Sequence, residues 1–99
     1  MSLEDLTTKI REKMGADSGL AARLKFDLGD DGVILLDGTS SPNTVTNDDE
    51  DADCTVGVTL DDLTAMIAGE LNPMTAFGLG KLRIEGDMGV AMKLGSLVG

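Results

Sequence analysis

The 99-residue chain has no histidine, tryptophan or tyrosine, a single cysteine, and only two aromatic rings, Phe26 and Phe77. Each shortage removes a class of chemistry. Without histidine there is no Ser-His-Asp or Cys-His catalysis, no imidazole metal ligand and no general base with an ordinary pKa near neutrality. A catalyst built on this chain would have to use carboxylates, lysine or Cys54. One cysteine closes no intramolecular disulfide and builds no cysteine zinc site, which fits a reducing or neutral compartment better than a secreted scaffold. No apolar run approaches the roughly 18 residues of a membrane span, and residues 1–14 are amphipathic where a signal peptide would be apolar. A soluble, cytoplasmic protein is expected, with an aliphatic core.

Bases are missing from the whole middle of the chain. Residues 26–80 carry twelve acids and not one lysine or arginine, whereas residues 1–25 carry five bases and four acids and residues 81–99 three bases and two acids. Such a surface repels nucleic acid, because duplex binding relies on lysine and arginine displacing counterions from phosphate, and it also repels anionic membranes. Asp outnumbers Glu thirteen to five, and the run Asn47-Asp48-Asp49-Glu50-Asp51 lies where hydrophobic periodicity is absent. It reads first as a solvated acidic loop. An EF-hand needs acids at its first, third and fifth positions, glycine at the sixth and glutamate at the twelfth. Begun at Asp27 the loop places Gly29 third and Gly38 twelfth; begun at Asp48 it places Asp53 where glycine is required. Both frames fail, so no metal and no cofactor is expected. Adaptation to concentrated salt is a third reading of the acidity, since salt screens self-repulsion while carboxylates keep the surface hydrated.

What is present suits a folded protein: 41% hydrophobic and 26% charged residues, and enough length for one domain, residues 1–99, with one modest core. Leu3, Leu6, Ile10 and Met14 recur at helical spacing, with Ser2 placed to cap the helix and Gly15 to end it. Ala22, Leu24, Phe26 and Leu28 then alternate with Arg23, Lys25 and Asp27 as a half-buried strand. Gly29 to Gly32 turns, Val33 to Leu36 returns as a hairpin, and Asp37 to Asn43 is a loop. Thr44 to Thr46 adds a short strand, and Cys54, Val56 and Val58 alternate as a fourth. Cys54 is therefore expected to be a buried small hydrophobe, with no basic neighbour to lower its pKa.

The last part of the chain turns helical. Thr59 caps a helix with Leu63, Met66 and Ile67 on one face and Gly69 at its end. Asn72-Pro73 starts a short second helix on which Met74 and Phe77 are expected on the inner face. Leu82 and Ile84 alternate with Lys81, Arg83 and Glu85 as a fifth strand, and Asp87 caps a last helix from Met88 toward Val98. That helix is apolar on more than one side, since Lys93 is its single charge, so it needs a second apolar partner.

Several ordered motifs here are similar to those of one family. Ala52-Asp53-Cys54-Thr55-Val56, Asp61-Asp62-Leu63, Gly69-Glu70-Leu71-Asn72-Pro73, Ala76-Phe77, Gly80-Lys81-Leu82-Arg83-Ile84 and Gly86-Asp87-Met88 through Ala91-Met92-Lys93-Leu94 resemble the sterol carrier protein type 2 family. The likeness is ordered and nearly gapless over residues 52–97, and the first half agrees in its order of elements. It implies an α+β fold: a five-stranded, mainly antiparallel sheet covered by about four helices that enclose an apolar tunnel for sterols, fatty acids, acyl-CoA or phospholipids, without catalysis. Peroxisomal members often carry glutamine just before Gly-Lys-Leu. This chain has Leu79, so a polar headgroup anchor is absent there, and its Leu97-Val98-Gly99 end is not a Ser-Lys-Leu-type peroxisomal tail.

Met66, Met74, Phe77, Leu79, Ile84, Met88 and Met92 are the expected lipid-lining residues. Flexible thioethers suit a pocket that reshapes around different ligands, and they equally suit a core short of aromatics. Two functions are open. The first is a carrier that exchanges an acyl chain, sterol or isoprenoid through transient membrane contact. The second is an interaction module or accessory subunit whose last helix docks on a partner enzyme, or on its own copy, and presents lipid to it. A carrier should be a monomer that takes up a fluorescent fatty acid; a docking module should self-associate or stay empty.

Overall fold

Each helix start carries the cap expected of it. In a computed structural model that describes residues 2–15 and 19–93, Ser2 Oγ accepts from the Asp5 N–H at 3.1 Å at the head of α1, Leu3–Met14. Thr59 Oγ1 accepts from Asp62 N–H at 3.1 Å at the head of α2, Leu60–Ile67. Asn72 Oδ1 takes Met74 N–H at 2.8 Å for α3, Pro73–Gly78, and Asp87 Oδ1 takes Gly89 N–H at 2.8 Å for α4, Met88–Met92. These bonds satisfy donors that the first helical turn leaves without a partner, so the polar residue ahead of each apolar run decides where the helix begins. Gly15 ends α1 with φ +65°, a conformation that favours glycine, and donates its N–H to Arg11 O.

Five strands form one mixed sheet: β1 Arg23–Asp27, β2 Val33–Asp37, β3 Thr44–Thr46, β4 Cys54–Gly57 and β5 Arg83–Gly86, in the order β3-β2-β1-β4-β5. Three pairings are antiparallel, and β1 with β4 is parallel. The register stacks Val45, Leu36, Leu24 and Cys54 in one cross-strand row and Ile34, Phe26, Val56 and Ile84 in the next. These rows form the core face. They join Leu6, Ile10 and Met14 of α1, Leu63, Met66 and Ile67 of α2, Ala76 of α3 and Val90 and Ala91 of α4 in one cluster. The alternation in β1 works as read, because side chains of a strand point to opposite faces and Arg23, Lys25 and Asp27 fall on the other one.

The acidic run is exposed, as expected, but it is not free. Lys25 Nζ donates to Asp49 Oδ1 at 2.9 Å and to Glu50 O at 3.1 Å, and Arg23 lies 3.3 Å from Asp37 and 3.8 Å from Glu50. Asn47 Nδ2 donates to Thr7 Oγ1 and to Val33 O, tying the start of the run to α1 and β2. The two bases of β1 thus fasten the segment that links β3 to β4.

At the C-terminal end one expectation changes and another is described only in part. On α3 the core contact is made by Ala76, which is fully buried, while Met74 and Phe77 share the outer side. A six-residue helix makes fewer than two turns, and the small side chain at 76 lets its backbone come close to the core. The last helix is described as Met88–Met92 with Lys93 as its cap; the expected continuation through Leu94 to Val98 lies outside the described residues.

Candidate functional site

The exposed large hydrophobic side chains of the described residues are Met74, 78% exposed, Phe77, 47%, Leu79, 65%, Met88, 52%, and Met92, 82%. All five lie on α3, the turn after it, and α4, the elements on either side of β5. Scattered single exposures are ordinary on a protein surface, but here five fall within nineteen residues of the chain. Met88 and Met92 are four apart, on the side of α4 opposite Val90 and Ala91, which pack inward. The helix is therefore apolar on two sides, as its composition implies.

Five of the seven expected lining residues are on this surface. The other two are deeper: Met66 is fully buried beside Leu63, and Ile84 is half-buried against the core. Two clefts, of about 270 Å³ and about 60 Å³, are lined by none of the seven. The larger is polar and open, with Asp27, Asp31, Lys81 and Arg83 around Gly57 and Thr59 at one end of the sheet. Sequence reasoning missed this grouping, because only the parallel pairing of β1 with β4 puts Asp27, Gly57 and Arg83 in one cross-strand row. Gly57 permits it: a Cβ there would stand 3.3 Å from Arg83 Nε, whose side chain lies across the glycine. That glycine flanked by charged strand ends is the one signal the sequence offered.

Electrostatics argue against covalent chemistry at Cys54. Burial pushes its thiol pKa up and the Asp87 carboxylate pushes it the same way, so the protonated form prevails and the side chain packs as a small hydrophobe. Lys93 Nζ donates to Leu20 O at 2.8 Å, fastening the end of α4 to the segment before β1. Among the described residues no three His, Cys, Asp or Glu side chains gather as a metal site, and no helix is long and apolar enough to cross a membrane.

A five-stranded mixed sheet packed against four helices defines an α+β protein whose last described elements leave large apolar side chains exposed. The comparisons give it a family. The model of the SCP-2 sterol transfer family matches residues 3–99, and the chain belongs to that family. Sterol carrier protein 2 of Bos taurus is 53% identical over 51 residues, which are 52% of this chain. The chain spans only 9% of that protein's length. The solution structure of sterol carrier protein domain 2 of Helicoverpa armigera is 31% identical, with a TM-score of 0.58, covering 93% of this chain and 69% of that one. The crystal structure of sterol carrier protein 2 like 2 from Aedes aegypti has a TM-score of 0.75 over 99% of this chain and 97% of that one at 22% identity, a likeness of fold. The five-stranded, mainly antiparallel α+β architecture is thus the family's.

Proposed function

We propose that this chain is a non-catalytic, cytoplasmic lipid carrier, residues 1–99 forming one lipid-binding domain that holds a fatty acyl chain, sterol or isoprenoid against α3, β5 and α4. Met74, Phe77, Leu79, Ile84, Met88 and Met92 line the site, whereas Met66 of α2, also expected there, is fully buried in the core cluster, and Leu79 stands where a polar headgroup anchor would otherwise be. The observation that carries the reading is that five exposed large apolar side chains fall on α3, the turn after it and α4, the segments before and after β5. Family membership supports it, since the family is described by sterol transfer. A chain of about 14 methylenes at about 0.8 kcal/mol each offers about 11 kcal/mol, from which association and ordering remove at least about 4. The balance corresponds to a Kd of roughly 10 µM.

The test is uptake of a fluorescent fatty acid by lipid-depleted protein, with Met92→Asp as the informative variant. Met92 is exposed, so an aspartate there meets water in the free protein and changes stability by no more than about 0.5 kcal/mol. Against a bound acyl chain the same carboxylate loses its water, and uptake falls at least tenfold. Lys93→Ala is a poor control because Lys93 ties α4 to Leu20; exposed Lys9→Ala is a better one. Uptake by Met92→Asp equal to that of Lys9→Ala removes α4 from the site. A parent protein that takes up no lipid assigns the same face to docking on a partner enzyme.

A further inference from the structure

β5 is the last strand of the sheet. Among the described residues it pairs with β4 and with no strand on its other side. An open strand edge presents N–H and C=O groups to any chain that can lie along it, and natural proteins often guard such edges with charge, especially lysine. Here the charges change sign halfway: Lys81 and Arg83, then Glu85 and Asp87. A second copy laid antiparallel against the edge, with the twofold axis through Ile84, places Arg83 of each copy opposite Glu85 of the other and Lys81 opposite Asp87. Moving the axis to residue 83 or 85 sets Arg83 against Arg83 or Glu85 against Glu85 and leaves two opposite pairs in place of four, so the pattern favours the register centred on Ile84.

We propose that the chain, departing from the expectation that a carrier is monomeric, forms a twofold-symmetric dimer through antiparallel pairing of β5 with β5 of a second copy, centred on Ile84 and fixed by Arg83 facing Glu85. Arg83 and Glu85 are exposed, and among the described residues neither makes an ion pair; the Arg83 side chain, which lies across Gly57 in the single chain, turns to the open edge in the dimer. Asp87 keeps one carboxylate oxygen beyond the one that caps α4, and the Lys81 ammonium is 3.8 Å from Asp62, loose enough to turn to a closer partner. Residues 81–87 are neutral as a group, in contrast to the base-free acidic stretch before them. With a net charge of −10, two copies repel across most other surfaces, and this edge is where they can meet. A stable interface buries upward of about 1,000 Å², more than a short strand pair supplies. Those apolar side chains of α3 and α4 that a bound lipid leaves uncovered add to it.

Sedimentation of the 99-residue protein over a range of concentrations tests the pairing. The parent is expected to show a concentration-dependent dimer, and Arg83→Glu and Glu85→Arg are each expected to weaken it at least tenfold, because each sets like charges against each other twice. Mixing the two single variants in equal amounts restores opposite charges in a heterodimer, and the double variant R83E/E85R restores them in a homodimer. Circular dichroism checks that all variants are folded, and fatty acid uptake on the same samples separates loss of pairing from loss of lipid binding. A parent that sediments as a monomer throughout overturns the proposal. So does a dimer untouched by either single charge reversal, or folded single variants whose mixture stays monomeric.

Discussion

Residues 2–71 and residues 72–93 treat their apolar side chains in opposite ways. In the first region every described Leu, Ile, Val, Met and Phe is buried or half-buried, and the exposed positions are rich in acids. In the second region, five of the large apolar side chains stand in water. Element length explains much of the difference. α1 has twelve residues and α2 eight, enough for an apolar stripe to face the sheet while the polar side faces out. α3, β5 and α4 have six, four and five residues, and each reaches the core through one or two small contacts: Ala76, Ile84, Val90 with Ala91. A stable region and a region that exposes apolar side chains can thus adjoin in one chain, because the first supplies the core that the second leans on.

The largest expected effect that would break this contrast comes from the two phenylalanines. Phe26 is fully buried at the centre of the sheet, and Phe26→Ala should cost about 3–5 kcal/mol, roughly 10 °C or more in Tm. Phe77→Ala, at a half-exposed site, should cost no more than about 1 kcal/mol while lowering fatty acid uptake. Equal losses of Tm in the two variants would make the second region core like the first.

A smaller effect sharpens the electrostatic side of the same contrast. The twelve acids between Phe26 and Gly80 face no base of their own stretch, and their links to Arg23, Lys25 and Lys81 are surface pairs of modest worth. The Debye length shortens from about 10 Å at 0.1 M salt to about 3 Å at 1 M, so Tm should rise by several degrees between those conditions. A flat or falling Tm would mean that the fastened loop already offsets the repulsion.

The smallest expected effect isolates a single acid from the rest. Asp37 is the one buried carboxylate among the described residues. It accepts from the Thr39 hydroxyl and N–H, and these bonds, with a hydrogen bond from Ser40 and the Arg23 guanidinium adding to them, outweigh burial and lower its pKa from the ordinary 3.8. A carboxylate with a depressed folded pKa contributes stability that is complete above 3.8 and is lost as the pH falls through the folded value. Asp37→Asn should therefore be less stable than the parent near neutrality, with the gap closing as the pH drops below 3.8. Thermal melts of both proteins across that range measure it. A gap that is constant in pH would assign the role of Asp37 to shape and not to charge.

Local chemistry in the sequence determined the elements. Four caps, the alternation of Leu24, Phe26, Val56 and Ile84, and the helical spacing of Leu6, Ile10 and Met14 all concern hydrogen bonds and side-chain directions within a few residues, so they can be read along the chain. The ordered motifs of residues 52–97 carried the family with them, and the concentration of apolar residues after Asn72 was visible as well. Tertiary structure decided the rest. It set β1 beside β4 in parallel, which made neighbours of Asp27, Gly57 and Arg83, and it turned Ala76 inward and Met74 and Phe77 outward. It also fastened Asp49 and Glu50 to bases more than twenty residues away. Strand order, helix facing and ion pairing depend on which distant surfaces fit against each other, and that free energy is shared among residues that no short window of sequence contains.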